Sequence, residues 1–281
     1  MIGVFDSGLG GLTVLEALVR RFPDQSFVYL GDHANVPYGD RPSEEIVDLT
    51  RAGVEHLFNA GCRLVLLGCN TATAMATRRL QQSWLPNEPR WAGRNVLGIV
   101  APTVEAATRT PWAVTTPQYP QNMNDDLIFV FATTRTIDSR VYAEEINKRC
   151  PKVRLVEVAC KGLVDAIEGG DAAAAGRIIE GVCRDALAAA GGERPDRVIL
   201  GCTHYPIVAD RFRAHLPEGV RIFSQPETVA DSLDDYLKRH PGYAGRNDAP
   251  AVVQVLTTGD PMRVTAAARR FWSEVPAFAA T

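Results

Sequence analysis

Short apolar segments alternate along the chain with longer segments in which apolar residues recur every three or four positions. The first pattern is typical of buried β-strands and the second of amphipathic α-helices. Strands are predicted at residues 2–5, 27–30, 64–67, 96–100, 127–131, 153–158, 198–200, 220–223 and 252–256. Helices are predicted at residues 13–21, 44–59, 71–82, 140–148, 172–190, 208–215, 228–238 and 261–272. This alternation predicts an α/β fold with mainly parallel sheets flanked by helices, and ligands at the carboxyl ends of the strands.

Three segments interrupt this alternation. Residues 83–95 are rich in Pro, Trp, Arg and Asn, and residues 110–126 contain three prolines and several polar pairs. Both compositions are typical of surface loops, and we expect a surface loop at each. The last five residues, AFAAT, are predicted to form a frayed tail.

An internal similarity indicates that the chain contains two related halves. Residues 64–73 read LVLLGCNTAT and residues 197–206 read RVILGCTHYP, which places Cys69 and Cys202 133 residues apart. A fainter pair, IGVFDSG at 2–8 and IFVFATT at 128–134, recurs after 126 residues. The two similar spacings predict two pseudo-symmetric α/β domains. If the domains face each other, each presents one cysteine at a strand end to the interdomain cleft.

Composition and charge exclude several classes of protein. The 281 residues include 30 Lys and Arg against 33 Asp and Glu, a net charge of −3 without the basic surplus of nucleic-acid-binding proteins. No apolar segment approaches the roughly 20 residues that cross a bilayer, and the first residues lack a signal-peptide pattern, so we expect a cytoplasmic protein that does not bind membranes. Six cysteines without CxxC or CxxH spacing predict free thiols and no metal site.

Two thiols in equivalent positions favour one reaction type. A cysteine between a strand end and a helix start lies in the positive field of the helix, which stabilises a thiolate. A thiol hydrolase would use one such cysteine as nucleophile, with His204 as its base, and has no need of an equivalent second one. A two-base racemase needs both, since one thiolate removes an α-proton while one thiol returns a proton to the opposite face. The remaining cysteines are predicted to be structural: Cys62, Cys150, Cys160 and Cys183.

The first turn, Asp6 to Gly11, joins a strand to a helix with glycine spacing GxGG. This differs from the GxGxxG dinucleotide fingerprint, and Asp6 would repel a pyrophosphate, so we expect no nucleotide cofactor. Asp6 would instead bind a substrate ammonium group or assist a nearby thiol. Ser7 and the backbone N–H groups of the turn suit a carboxylate.

Six short segments resemble, in order and spacing, the motifs of the glutamate racemase family. They are FDSGLGGLTVL (5–15), VPYG (36–39), GCNTATA (68–74), ATTRTIDSRVY (132–142), AIEGG (166–170) and LGCTHYP (200–206). The resemblance runs from residue 1 to about residue 240. It implies cofactor-independent interconversion of L- and D-glutamate by two cysteines, which supplies D-glutamate for peptidoglycan biosynthesis. It implies a small-molecule substrate and no metal, and it leaves homodimer formation open. The balanced charge and the lack of a long apolar segment predict no nucleic-acid or membrane partner.

Carried over residue by residue, the resemblance implies that Cys69 acts on D-glutamate and Cys202 on L-glutamate. Asp6 would assist Cys69, and His204 with Glu168 would assist Cys202. The implied substrate contacts are Ser7, Tyr38, Gly39, Asn70, Thr71, Thr133, Thr136 and Thr203. The family architecture implies that the second α/β domain is inserted into the first, with residues 1–99 and 208–281 in one domain and residues 100–207 in the other.

The chain departs from the family pattern after the late strand. Ser224, Gln225 and Pro226 stand where Asp-Ser-Gly is common in the family. Three alternatives stay open on the sequence: a racemase of aspartate or another acidic amino acid, a non-catalytic regulatory relative, and a thiol hydrolase that forms an acyl-enzyme at Cys202.

Overall fold

The computed structural model describes residues 1–121, 123, 125–245 and 250–281. Its strands are β1 (Ile2–Asp6), β2 (Phe27–Gly31), β3 (Leu64–Leu67), β4 (Asn95–Gly98), β5 (Leu127–Ala132), β6 (Arg154–Ala159), β7 (Arg197–Gly201), β8 (Arg221–Phe223), β9 (Val253–Thr257) and β10 (Ala279–Ala280). The nine predicted strands are confirmed, with ends within two residues of the prediction. Every strand pair that the structure describes is parallel.

The helices lie between the strands, as the βα alternation predicts. They are α1 (Leu12–Arg21), α2 (Ser43–Asn59), α3 (Asn70–Arg79), α4 (Val100–Thr108), α5 (Thr134–Asp138), α6 (Val141–Asn147), α7 (Leu163–Gly169), α8 (Ala172–Ala189), α9 (Ala209–His215), α10 (Gln225–Arg239) and α11 (Pro261–Ala268). Helices α4, α5 and α7 are absent from the prediction. In the described part of the chain, no helix combines the length and apolar character that crossing a bilayer requires.

The chain divides into two compact units. Met1–Ile99 and Val229–Thr281 form the first, and Val100–Thr228 forms the second. The first unit contains the sheet β10-β9-β2-β1-β3-β4, and the second contains the sheet β6-β5-β7-β8. In each unit the first strand pairs with the second and the third, and the third pairs with the fourth. The two halves predicted from the repeated sequences therefore share one strand order.

The second unit extends further along the chain than the sequence predicts. The predicted return to the first domain lies at residue 208, whereas residues 208–228 belong to the second unit. The reason is β8, which pairs with β7 from Arg197 opposite Arg221 to Ile199 opposite Phe223. A boundary at residue 208 would remove the fourth strand of this sheet.

The surface loop predicted at residues 83–95 connects the helical segment after α3 to β4 and is built from short turns. The segment forms one π-helical turn, which begins at Leu80, and two 3-10 turns. Trp84 stacks on Phe58 with ring centroids 6.2 Å apart, and the Trp91 ring lies 5.3 Å from the same phenylalanine. The Arg94 guanidinium lies over the Trp91 ring at 5.1 Å. The apolar surface of the two indoles therefore packs against the core of the first unit, which no loop composition reveals.

The described residues of segment 110–126 form a loop, as predicted, yet they are packed. Residues 122 and 124 of this segment lie outside the described residues. The guanidinium of buried Arg149 stacks on Trp112 at 4.3 Å and pairs with Glu145 at 3.1 Å. Met123 is buried in the core of the second unit. Side-chain packing of Trp112 and Met123 therefore holds the segment in place, without strand pairing in its described residues.

The expectation of a frayed tail at the last five residues is wrong. Ala279 and Ala280 form β10, which pairs with β9, and Phe278 is buried. The Phe278 ring meets Tyr29 edge-on at 6.1 Å. One buried aromatic residue among alanines is a weak sequence signal, although it is enough to dock the segment.

Candidate active site

Cys69 lies at the carboxyl edge of the first sheet. Strands β1 and β3 are paired from Ile2 opposite Leu64 to Phe5 opposite Leu67, so the residues that follow both strands meet at this edge. Cys69 is the residue that precedes α3, and its Sγ accepts hydrogen bonds from the Ala72 amide and from the Ser7 hydroxyl, each at 3.4 Å. Two donors and the positive end of a helix dipole stabilise negative charge on this sulfur.

Asp6 is the last residue of β1, Ser7 follows it, and both are fixed by the glycine-rich turn. Asp6 is 1% exposed, and its Oδ1 accepts a hydrogen bond from the Gly8 amide at 2.7 Å. A side chain at Gly11 would lie 2.6 Å from the Asp6 Cβ, so glycine is required for the turn to pass over the aspartate. The Tyr29 hydroxyl donates to the Gly8 carbonyl at 2.7 Å and holds the turn from the neighbouring strand. The glycines of this turn thus serve close packing around a buried carboxyl group.

Tyr38 belongs to the same unit and is held by Asp32. The sequence pattern did not identify Asp32 as part of the site. The Tyr38 hydroxyl donates to Asp32 Oδ2 at 2.7 Å, in the 3-10 turn that also contains Gly39. Burial, the hydrogen bond to Asp32 and the negative charges of Asp32, Cys69 and Asp6 all raise the pKa of Tyr38 far above its usual value, so the phenol stays neutral. The position of Asp32 could have indicated its role, because it directly follows β2 and Asp6 is the last residue of the neighbouring strand β1.

Cys202 lies at the equivalent edge of the second sheet. Ala132 at the end of β5 is paired with Gly201 at the end of β7, so Thr133 and Cys202 follow adjacent strand ends. Thr133 precedes α5, where its Oγ1 accepts from the Thr136 amide at 3.4 Å and lies 3.0 Å from the Thr136 hydroxyl. Thr203 is buried beside Cys202. Residues that follow adjacent strand ends therefore lie at one sheet edge in each unit, Ser7 and Cys69 in the first and Thr133 and Cys202 in the second.

Cys202 differs from Cys69 in how negative charge on its sulfur is stabilised. A 3-10 turn, Tyr205–Val208, separates it from α9, so the expected start of an α-helix at the second cysteine is wrong. Instead, His204 Nδ1 lies 3.7 Å from the Cys202 Sγ, and His204 Nε2 lies 2.7 Å from Glu168 Oε1 in α7. Burial by itself lowers the pKa of His204, but the hydrogen bonds and charges of Cys202 and Glu168 outweigh it and raise the pKa to about 10.

The remaining cysteines are buried. Burial raises the pKa of Cys62 to about 11 and that of Cys183 to about 12, and it raises the pKa of Cys160 still further. The thiols of Cys62, Cys160 and Cys183 therefore stay protonated at neutral pH. In the described ranges, no three His, Cys, Asp or Glu side chains are grouped so that they could hold a metal ion.

Comparison with known proteins agrees with this pair of cysteine-bearing sheet edges. Residues 2–233 match the model of the Asp/Glu/hydantoin racemase family. A glutamate racemase from Phenylobacterium zucineum is 51% identical over 276 residues, which cover 96% of each chain. The chain belongs to the glutamate racemases of this family. Glutamate racemases are amino-acid isomerases, and a peptidoglycan role and a cysteine mechanism are typical of them.

Solved glutamate racemases have the same fold. A Bacillus anthracis glutamate racemase superposes with a TM-score of 0.84 at 28% identity and covers all of this chain and 97% of that one. A Francisella tularensis glutamate racemase, solved in complex with D-glutamate, superposes with a TM-score of 0.82 at 25% identity, with coverage of 100% and 96%. The two-domain α/β architecture of glutamate racemases, expected from the resemblance, is therefore confirmed for this chain.

Proposed function

We propose that the chain interconverts L- and D-glutamate, with Cys202 and Cys69 as the two proton carriers. The observation that carries the proposal is the equivalence of the two Leu-Gly-Cys segments, which end the third strand of two sheets with one strand order. Each sulfur has its own means of stabilising negative charge, a helix start at Cys69 and a histidine at Cys202. Membership of the glutamate racemases supports glutamate as the substrate.

In the L-to-D direction, the Cys202 thiolate removes the α-proton of L-glutamate. The Cys69 thiol then delivers its proton to the opposite face of the α-carbon, which gives D-glutamate, a Cys202 thiol and a Cys69 thiolate. The reverse direction exchanges the roles. Proton exchange with solvent restores the starting forms. Both thiols must therefore reach one α-carbon from opposite faces.

The neighbouring residues have distinct parts in the proposal. Asp6 assists Cys69, while His204 and Glu168 assist Cys202 by keeping a positive charge beside its thiolate. The hydroxyl and amide groups at the two sheet edges hold the substrate carboxylates and ammonium group through Ser7, Tyr38, Gly39, Asn70, Thr71, Thr133, Thr136 and Thr203. Fixed donors in a site from which water is excluded stabilise the developing carbanion. The thiols supply the whole proton transfer, so the proposal involves no metal or cofactor.

We further propose that the reaction takes place in the cytoplasm and that its product serves peptidoglycan synthesis. Thiols stay reduced in a reducing compartment, and none of the cysteines in the described residues is disulfide-bonded. Membership of the glutamate racemases supports the biosynthetic role.

The test is incubation of the protein with L- or D-glutamate in D₂O, with α-deuteration followed by NMR and racemisation by circular dichroism. We expect both signals with either enantiomer and much slower reaction with aspartate. Folded protein that neither exchanges the α-proton nor racemises glutamate would refute the proposal. Faster racemisation of aspartate would make aspartate the substrate instead.

Removal of either catalytic thiol is expected to stop the reaction. Cys69→Ala and Cys202→Ala should each lower racemisation by at least about 10³-fold, since each removes one of two obligatory proton carriers. Cys62→Ala and Cys183→Ala are the matched controls, because these thiols are also buried and lie outside the site. An active Cys69→Ala or Cys202→Ala enzyme would exclude the two-base assignment.

A further inference from the structure

A side chain hydrogen-bonds the backbone carbonyl two residues before each of the two cysteines. At Cys69 the carbonyl is that of Leu67, and it accepts from the Thr73 hydroxyl at 3.0 Å. At Cys202 the carbonyl is that of Leu200, and it accepts from the Gln225 Nε2 at 2.8 Å. The two carbonyls occupy the same place in the repeated Leu-Gly-Cys segment.

The sheet explains why the Leu200 carbonyl requires such a donor. The ladder between β7 and β8 ends at Ile199 opposite Phe223, because β8 has only three residues. Leu200 lies one residue beyond that ladder. Gln225, the first residue of α10, takes the place of a further strand residue and donates to the open carbonyl. The last hydrogen bond before Cys202 is thus a side-chain bond.

Gln225 also contacts Tyr142, which packs against the same strand end. Its Nε2 lies 3.4 Å from the Tyr142 hydroxyl. A side chain at Gly201 would lie 2.9 Å from the Tyr142 Cε2, so the Tyr142 ring lies directly against the residue before Cys202. Tyr142 is buried, and the negative charge of Cys202 contributes to a raised pKa of Tyr142, after the dominant effect of burial.

The burial of Gln225 indicates that its side-chain amide is present because its N–H group donates to the Leu200 carbonyl. Gln225 is fully buried, and its Oε1 has no hydrogen-bond partner among the described residues. A buried amide oxygen without a partner destabilises a protein, and an apolar side chain of the same length would avoid that cost. Because a carbonyl oxygen can only accept a hydrogen bond, the amide must turn its donor Nε2, not its acceptor Oε1, toward Leu200.

Thr73 has the corresponding role in the first unit, and it lies only four residues after its cysteine. Its Oγ1 accepts from the Ile99 amide at 3.4 Å, and its backbone amide donates to the Cys69 carbonyl at 2.8 Å. Gly98 makes this arrangement fit, because a side chain there would collide with the Thr73 methyl group. Thr73 therefore connects the end of β3, the end of β4 and Cys69.

We infer that Thr73 and Gln225 are positioning residues for the two thiols, Thr73 for Cys69 and Gln225 for Cys202. The inference rests on the proposed two-base function. Each residue fixes the strand end from which its cysteine projects, and it acts through the backbone without contact to the substrate. Small displacements of a proton carrier slow proton transfer strongly, since a misplacement of about 1 Å costs about 10²-fold in rate.

The test compares Gln225→Met and Thr73→Val, which keep the size of the side chain and remove the donor. We expect each to lower kcat by about 10- to 100-fold, with KM for glutamate nearly unchanged. The controls are Gln25→Leu and Thr50→Val. Gln25 is a buried amide that donates to the Ser26 carbonyl, and Thr50 is a buried threonine that donates to the Ile46 carbonyl within α2.

Isotope effects separate positioning from general damage. With α-deuterated L-glutamate, Gln225→Met should raise the primary isotope effect on racemisation, because deuteron removal by Cys202 becomes the slow step. With α-deuterated D-glutamate the same variant should lower the isotope effect, because proton return from Cys202 becomes slow. Thr73→Val should show the opposite pair of shifts. Thr73→Ser, which keeps the hydroxyl, should restore wild-type values.

Unchanged isotope effects in both directions, or an activity loss no larger than that of the controls, would overturn the inference. If Gln225→Met lowers the yield of folded protein, Gln225→Asn serves instead, since its amide is too short to reach Leu200 and the expected shifts are the same. The cysteine variants distinguish the two failures. If Cys69→Ala and Cys202→Ala are inactive while the isotope effects do not move, only the positioning role is wrong.

Discussion

The two cysteines have the same place in the fold but differ in the groups that stabilise a thiolate. Cys69 accepts from a backbone amide at a helix start and from a serine hydroxyl, which are fixed dipoles that pH does not alter. Cys202 faces His204, whose charge depends on pH and is maintained by Glu168. At the second site, the group that faces the sulfur therefore titrates itself, with a pKa of about 10.

The stability of the protein should depend on pH through His204. Its pKa rises from 6.5 in the unfolded chain to about 10 in the fold, so the protonated imidazole stabilises the fold fully below about pH 6.5. That contribution is lost as the pH rises through about 10. We expect His204→Gln to lower the unfolding free energy by about 2 kcal/mol near pH 6 and by progressively less toward pH 10.

Chemical denaturation of both proteins between pH 6 and pH 10 measures this difference. Glu168→Gln is the control, since loss of the carboxylate lowers the His204 pKa and moves the pH dependence to lower pH. A stability difference that stays constant over this range would show that His204 is neutral in the fold.

At the scale of elements, the segment of β10 is connected to the surroundings of Cys69 by aromatic packing. Phe278 meets Tyr29 edge-on and also meets His33 at 5.7 Å. The Tyr29 hydroxyl in turn holds the Gly8 carbonyl, next to the Ser7 that donates to Cys69. The docking of β10 thus supports the turn that carries Asp6 and Ser7.

Phe278→Ala should lower the unfolding free energy by about 3 kcal/mol, because it removes a buried ring and leaves a cavity beside Tyr29. Thermal and urea unfolding measure the change. Met262→Ala is the matched control, since Met262 is 84% exposed and its truncation should change stability by less than about 0.5 kcal/mol. A Phe278→Ala protein as stable as the control would mean that β10 is only loosely attached.

The sequence predicts those elements whose pattern is local. The nine predicted strands and the alternation with helices follow from apolar periods, and the repeated Leu-Gly-Cys segments reveal both cysteines. Asp32, Gln225 and Phe278 were missed as contributors to the site because the apolar pattern does not reveal which side chain or carbonyl each one meets. The partner is Tyr38 for Asp32, Leu200 for Gln225 and Tyr29 for Phe278, and the last two partners are distant in sequence. Trp84 and Trp91 were assigned to a loop because composition does not show which apolar surface a residue will meet.

At the scale of the whole molecule, each unit has a hydrophobic core of its own. Leu57 belongs to the core of the first unit, and Ile146 belongs to the core of the second. Both side chains are fully buried. A chain with two separate cores can lose one of them before the other, unless contacts between the units make unfolding cooperative.

We expect Leu57→Ala and Ile146→Ala each to shift mainly the urea transition of its own unit, by about 3 kcal/mol. The tryptophans provide the probes, because Trp112 is in the second unit whereas Trp84, Trp91 and Trp272 are in the first. Variants that retain only Trp112, or only Trp91, report on one unit at a time. Equal shifts of both probes in each variant would instead show one cooperative transition.

The hydrogen bonds to Leu67 and Leu200 have a consequence for recombination between related genes. Thr73 lies four residues after Cys69, so almost any exchanged segment that contains this thiol also contains the threonine. Gln225 lies 23 residues after Cys202, beyond α9 and β8. A crossover between residues 203 and 224 would join one parent's thiol to the other parent's residue at position 225. Active chimeras should therefore accept crossovers close to the first cysteine and tolerate them after the second only beyond the start of α10.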